Sequence, residues 1–164
     1  MLGYYFVRHR SKHTTWDDLV GRLTWTDKHR IAQVALELVD EFGQRRVLGD
    51  GDSVEPADIW ALIGGLEGLE VLERNSDVLI ELAFYVQQWH PGAVVIAERL
   101  RMDAKELRWH VSRLRGAVKT GNLQVSFPFY AQRAVVAYYL MTRRVLSLYE
   151  GGSFAMLAEL QRTL

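Results

Sequence analysis

Apolar residues recur three and four positions apart along most of the chain, and this spacing predicts a mainly α-helical protein. Thr14 or Thr15 suits the N-cap of a first helix, and Pro56 suits the first turn of a later one. The residues Asn75, Ser76 and Asp77 predict a turn. We therefore expect helices over about 15–23, 27–42, 56–74, 78–89 and 131–149, with a short final helix after Gly151–Gly152.

The stretch from 93 to 118 predicts two helices joined by a tight turn. Ala97 is the small residue that a crossing helix requires, and Met102 is the apolar residue that fills such a turn. Asp103 followed by Glu106 matches a capping box, which would start the second helix at this point. The second helix has an inward apolar stripe formed by Leu107, Val111, Leu114 and Val118.

The opposite face of this second helix carries polar, basic and aromatic side chains. At about 100° per residue, Trp109 lies near the middle of that face. The outward residues are Lys105, Arg108, Trp109, Ser112 and Arg113. A large indole on an outward helix face indicates contact either with DNA or with another protein surface.

After the second helix, residues 120–122 predict a turn, and the alternating residues 123–127 predict a short strand. Residues of about 78–127 contain the sequence IAERLRMDAKELRWHVSRLR. This segment resembles the winged-helix branch of the helix-turn-helix superfamily. The resemblance includes His110 followed by Val111 in the second helix. It implies base contacts from Lys105, Arg108, Trp109, Ser112 and Arg113, and it implies that 123–127 is one strand of an abbreviated wing.

Charge is distributed unevenly, although the formal net charge is zero. Residues 37–81 hold twelve acidic and three basic side chains, whereas residues 97–121 hold seven basic and three acidic ones. A basic segment of this kind indicates a surface for an anion such as nucleic acid. The acidic and basic segments could equally pack against each other.

Composition narrows the possible chemistry. The absence of cysteine excludes disulfides, thiolate catalysis and cysteine zinc sites. We expect no metal site at His9, His13 and His29, because no carboxylate or cysteine completes a ligand set at a recognised spacing. No complete catalytic constellation is present either, so we expect no enzyme activity and no cofactor. The short apolar runs predict a soluble, cytoplasmic protein that does not enter a membrane.

The sequence therefore predicts an N-terminal helical region (1–77), a winged-helix-like DNA-binding unit (78–127) and a C-terminal helical region (128–164). The helix over 131–149 has apolar residues on more than one side, which favours a homodimer but is also explained by burial within its own domain. We expect a transcriptional regulator that binds double-stranded DNA. The alternative is a non-catalytic protein–protein interaction module, in which the basic helix docks an acidic partner or the chain's own acidic segment.

Overall fold

The computed structural model describes residues 15–39, 44, 56–121 and 123–164. Within these ranges the chain forms α-helices and no strand, which confirms the prediction of a mainly helical fold. The helices are α1 (Trp16–Gly21), α2 (Lys28–Ala35), α3 (Pro56–Ile63), α4 (Gly65–Tyr85), α5 (Ala93–Thr120), α6 (Leu123–Gly151) and α7 (Leu157–Thr163). A short 3-10 helix, Val86–Gln88, follows α4. Over the described part of the chain, no helix combines the length and the apolar character that a membrane crossing requires.

Helix α6 lies at the centre of the bundle. Helices α4 and α5 pack along it, α2, α3 and α7 also contact it, and α1 packs on α4. The buried side chains of α6 include Ala131, Ala134, Val135, Tyr138, Met141, Val145, Leu148 and Tyr149. Burial within the chain therefore explains the apolar pattern over 131–149, and these side chains are not available as a dimer surface.

All seven described helices contribute to one hydrophobic core. The boundaries predicted between 77 and 78 and between 127 and 128 fall inside α4 and α6. Residues on both sides of each position belong to the same core.

Two hydrogen-bond networks, one buried and one partly buried, attach the N-terminal part of the described chain to α4 and α6. Trp16 Nε1 donates to Tyr149 Oη at 3.0 Å, and Tyr149 Oη donates to the carbonyl of Leu82 at 2.8 Å. Burial raises the pKa of Tyr149 to about 12, so this hydroxyl keeps its proton at neutral pH. Asn75 accepts from the backbone N–H of Thr24 at 2.9 Å and donates to its carbonyl at 2.8 Å.

The contacts of Asn75 also correct the turn predicted at 75–77. These residues lie inside α4, because Asn75 satisfies its polar groups with the loop between α1 and α2. Ser76 is buried beside it and donates to the carbonyl of Glu73. The break falls earlier instead, at Gly64 and Gly65, which both have positive φ angles.

The predicted helix-turn-helix at 93–118 is wrong, because α5 is one helix of 28 residues with no interruption near Met102. Such a turn requires a residue in the left-handed region, and the only described non-glycine residue with positive φ is Ser153. Arginine, methionine and alanine around Asp103 are all good helix formers. Met102 is exposed rather than filling a turn.

Asp103 does not cap a helix but lies buried in the middle of α5. Its carboxylate accepts a hydrogen bond from Arg144 of α6 and forms an ion pair with it. Burial raises the pKa of Asp103, and the charge of Arg144 opposes that rise. Asp103, which the sequence pattern predicted as a helix cap, is therefore hydrogen-bonded by a residue 41 positions away along the chain.

The strand predicted over 123–127 is also wrong, since these residues begin α6. A lone strand leaves its backbone groups unpaired, and the described residues provide no second strand beside it. Helix formation pairs the same groups within the segment. The described chain therefore has no wing.

We predict that Arg144→Met destabilises the protein by about 3–5 kcal/mol at neutral pH, because Asp103 then remains buried without a counter-charge. The folded-state pKa of Asp103 is raised above its unfolded value, and the substitution raises it further. A raised carboxyl pKa costs stability above that pKa, and the cost disappears as the pH falls through it. The deficit should therefore shrink in acid, as measured by chemical denaturation across pH.

The double variant Asp103→Asn/Arg144→Met is the control for this prediction. It contains no buried charge, so it should recover stability, and its difference from the wild type should depend little on pH. A cost below about 1 kcal/mol for Arg144→Met, unchanged by pH, would show that the pair behaves as an exposed ion pair.

Candidate functional site

Helix α5 exposes the five residues that the sequence analysis placed on an outward face. Lys105, Arg108, Trp109, Ser112 and Arg113 are all exposed. On the opposite side Leu107, Val111 and Leu114 are fully buried, as predicted. Val118 was expected to be inward but is exposed in the last turn of the helix.

An exposed apolar stripe runs along the same outward side. Val95, Met102 and Trp109 have exposed fractions of 72%, 65% and 49%, and they follow one another at intervals of seven residues. Positions seven residues apart lie within about 20° of each other around an α-helix, so the three side chains form one line. Of the seven large hydrophobic side chains that are exposed among the described residues, five lie on α5. The sequence analysis missed this stripe because it assigned Met102 to a turn.

Charged side chains flank the stripe on both sides. Glu98 and Lys105 lie along one flank, and Arg99 and Glu106 lie along the other. We call this surface the α5 face, and it consists of Val95, Glu98, Arg99, Met102, Lys105, Glu106, Trp109, Ser112 and Arg113. It carries both signs of charge around an apolar centre.

Trp109 is held in place at one end of the α5 face. Its ring centroid lies 5.5 Å from that of Tyr130 on α6 in an edge-to-face arrangement. The guanidinium of Arg113 lies 4.8 Å from the centroid of the indole. One side of the indole therefore packs on the bundle while about half of the residue remains exposed.

Two basic side chains of α5 form ion pairs with acids of α4. Arg108 forms an ion pair with Asp77. Arg115 donates to Glu70 at 3.3 Å and to Glu73 at 3.2 Å. The acidic and basic segments of the sequence thus meet along these two helices, which is the arrangement that the sequence analysis left open as an alternative to an anion-binding surface.

His110 lies directly beneath the α5 face and is buried. Its Nε2 lies 3.5 Å from Glu106, and its Nδ1 has no hydrogen-bond partner among the described residues. Burial lowers the pKa of His110, while Glu106 raises it and Arg133 lowers it further. The imidazole is therefore neutral at neutral pH and adds no positive charge to the surface.

The other candidate chemistry is less complete. Among the described residues, no group of three histidine or carboxylate side chains is placed to hold a metal ion. His29 is exposed on α2, whereas His9 and His13 lie outside the described residues. Among the candidates named from the sequence, the α5 face is therefore the one whose residues the structure brings together on the surface.

Comparison of the chain with protein-family models, with curated proteins and with solved structures finds no match. The resemblance of residues 78–127 to winged-helix proteins thus has only the sequence pattern as support. The continuous α5 lacks the turn that this pattern indicated.

Proposed function

We propose that this protein is a non-catalytic helical interaction module, and that the α5 face is where it binds another protein. The observation that carries this proposal is the line of exposed apolar side chains formed by Val95, Met102 and Trp109. Exposed apolar residues occur singly on most protein surfaces, whereas three of them aligned on one helix face, at intervals of two turns, indicate an interaction surface. A seven-residue repeat on a straight helix fits a second helix lying alongside it.

The charge arrangement supports a protein partner. Arg108 and Arg115 already bind carboxylates of α4, so they contribute little to a surface for a polyanion. Glu98, which forms an ion pair with Arg101, and Glu106 place negative charge on the same face as Lys105. Protein interfaces commonly have an apolar centre and a polar rim, and the α5 face has both.

We predict that a photoreactive amino acid at Met102 cross-links to another protein molecule in the cells that produce the protein. The same probe at Ser147, an exposed position on α6, serves as the matched control. Trp109→Ala should abolish the cross-link at Met102, because it removes the largest side chain of the stripe. Equal cross-linking at Met102 and Ser147 would contradict the proposal.

Thermal denaturation of Trp109→Ala shows whether a lost cross-link reflects a lost contact with the partner or unfolding of the protein. Trp109 is half exposed, so Trp109→Ala should cost well below the about 3–5 kcal/mol of a fully buried tryptophan. A loss of that size would show that the indole is part of the core, and the α5 face would then not be a surface in solution.

Double-stranded DNA is a second candidate partner, favoured by the exposure of the five residues predicted to contact it on one side of α5. Without a turn in α5, contact would require a single continuous helix lying in the major groove, as the basic regions of some dimeric DNA-binding proteins do. The prediction of a transcriptional regulator depends on this contact.

If the chain binds DNA through α5, affinity for a duplex should fall steeply with salt, because bound phosphates release counterions. Lys105→Ala should then reduce the slope of log affinity against log salt by about one, since one phosphate contact is lost. Arg143→Ala on α6 removes the same charge from another exposed position and should leave the slope unchanged. Fluorescence anisotropy at several salt concentrations measures both. Absence of binding at low salt would eliminate DNA as the partner.

A further inference from the structure

The α5 face is complementary to a copy of itself. On one flank Glu98 lies four residues before Met102 and Lys105 lies three residues after it. On the other flank Arg99 lies three residues before Met102 and Glu106 lies four residues after it. Each flank therefore has one acid and one base on either side of the same central residue.

In the arrangement considered, a two-fold axis perpendicular to α5 passes between Met102 of one copy and Met102 of the other. This axis places the two α5 helices antiparallel. This operation brings each flank against the same flank of the other copy. Glu98, which also forms an ion pair with Arg101 of its own helix, then meets Lys105 of the second copy. Arg99 meets Glu106 of the second copy. By symmetry each of these pairs occurs twice, so the arrangement provides four ion pairs between opposite charges.

The apolar stripe determines the direction of the two helices. A parallel arrangement also brings opposite charges together, because Glu98 then meets Arg99 and Lys105 meets Glu106. However, it stacks Trp109 on Trp109 and Val95 on Val95, so the helices would be held far apart at one end and close at the other. The antiparallel arrangement opposes Trp109 to Val95 at both ends of a Met102–Met102 contact, which matches a large side chain with a small one.

We propose that the partner bound by the α5 face is a second copy of this chain, arranged antiparallel about Met102. This inference rests on the proposed function, since it names the partner of the same face. The dimer forms without unfolding or rearranging the bundle, because the stripe is already exposed in the single chain. Its apolar centre is one residue wide, so the dimer is weak and reversible.

The test measures self-association of the full chain by sedimentation equilibrium. Glu98→Lys and Lys105→Glu each replace attraction by repulsion at both symmetry-related contacts, and each should raise the dimer dissociation constant about tenfold. The double variant Glu98→Lys/Lys105→Glu exchanges the two charges and should restore dimerisation. A mixture of the two single variants should form a heterodimer, because every contact between them again joins opposite charges.

Matched controls change the same charges elsewhere. Arg143→Glu and Glu150→Lys alter the net charge as the two single variants do, but at exposed positions of α6. They should leave the dissociation constant unchanged. Circular dichroism of all variants should show melting temperatures close to the wild type, since each position is exposed.

The outcomes separate the partner from its orientation. In a parallel dimer the double variant would place its new lysine against Arg99 and its new glutamate against Glu106, and both contacts would join like charges. A double variant that dimerises more weakly than either single variant therefore overturns the antiparallel arrangement. A chain that stays monomeric at the highest concentration overturns self-association. If Met102 nevertheless cross-links a different protein, the interaction face stands and only its second-copy partner is wrong.

Discussion

The packing of α5 along α6 determines which residues of this protein are available to a partner. Seven inward side chains of α5 are completely enclosed, and these are Ala93, Ala97, Leu100, Ala104, Leu107, Val111 and Leu114. The ion pair between Asp103 and Arg144 lies in the same contact. Turning α5 by one position would expose leucines and bury unpaired charges, and both changes are costly. The outward direction of Met102 and Trp109 thus follows from the core on the other side of the helix.

The mainly helical fold and the two sides of α5 could be predicted from sequence, because both depend on short-range spacing. The inward positions Leu107 and Leu114 and the outward position Trp109 were assigned correctly for this reason. The N-cap expected at Thr14 or Thr15 lies at Thr15, whose side chain accepts a hydrogen bond from the backbone N–H of Asp18. These features need no knowledge of residues far away in the chain.

The wrong predictions at Asp103 and Asn75 have a common cause. Each side chain could have bonded to nearby backbone groups in a cap or a turn, but it binds a residue far away in the chain instead. Asp103 followed by Glu106 is a good capping pattern, but Arg144 binds Asp103 and the helix continues. Asn75 is a good turn residue, but the backbone of Thr24 occupies its side-chain amide. The apolar stripe was not predicted because the sequence pattern broke the helix at Asp103. Val95, Met102 and Trp109 are aligned only when α5 is continuous. Helix propensity and capping patterns alone do not decide between a cap or turn and a continuous helix at these positions.

The mixture of charges around the stripe distinguishes the two kinds of partner. Phosphates along DNA present a single sign of charge, so Glu98 and Glu106 would oppose binding, and Arg108 would have to leave Asp77. A second copy presents the same mixture in reverse order, so each of the four flanking charges can face its opposite. The exposed indole of Trp109 then covers the small side chain of Val95 rather than remaining in water. The charges of the α5 face are therefore poorly complementary to a uniform polyanion but complementary to those of a second α5 face.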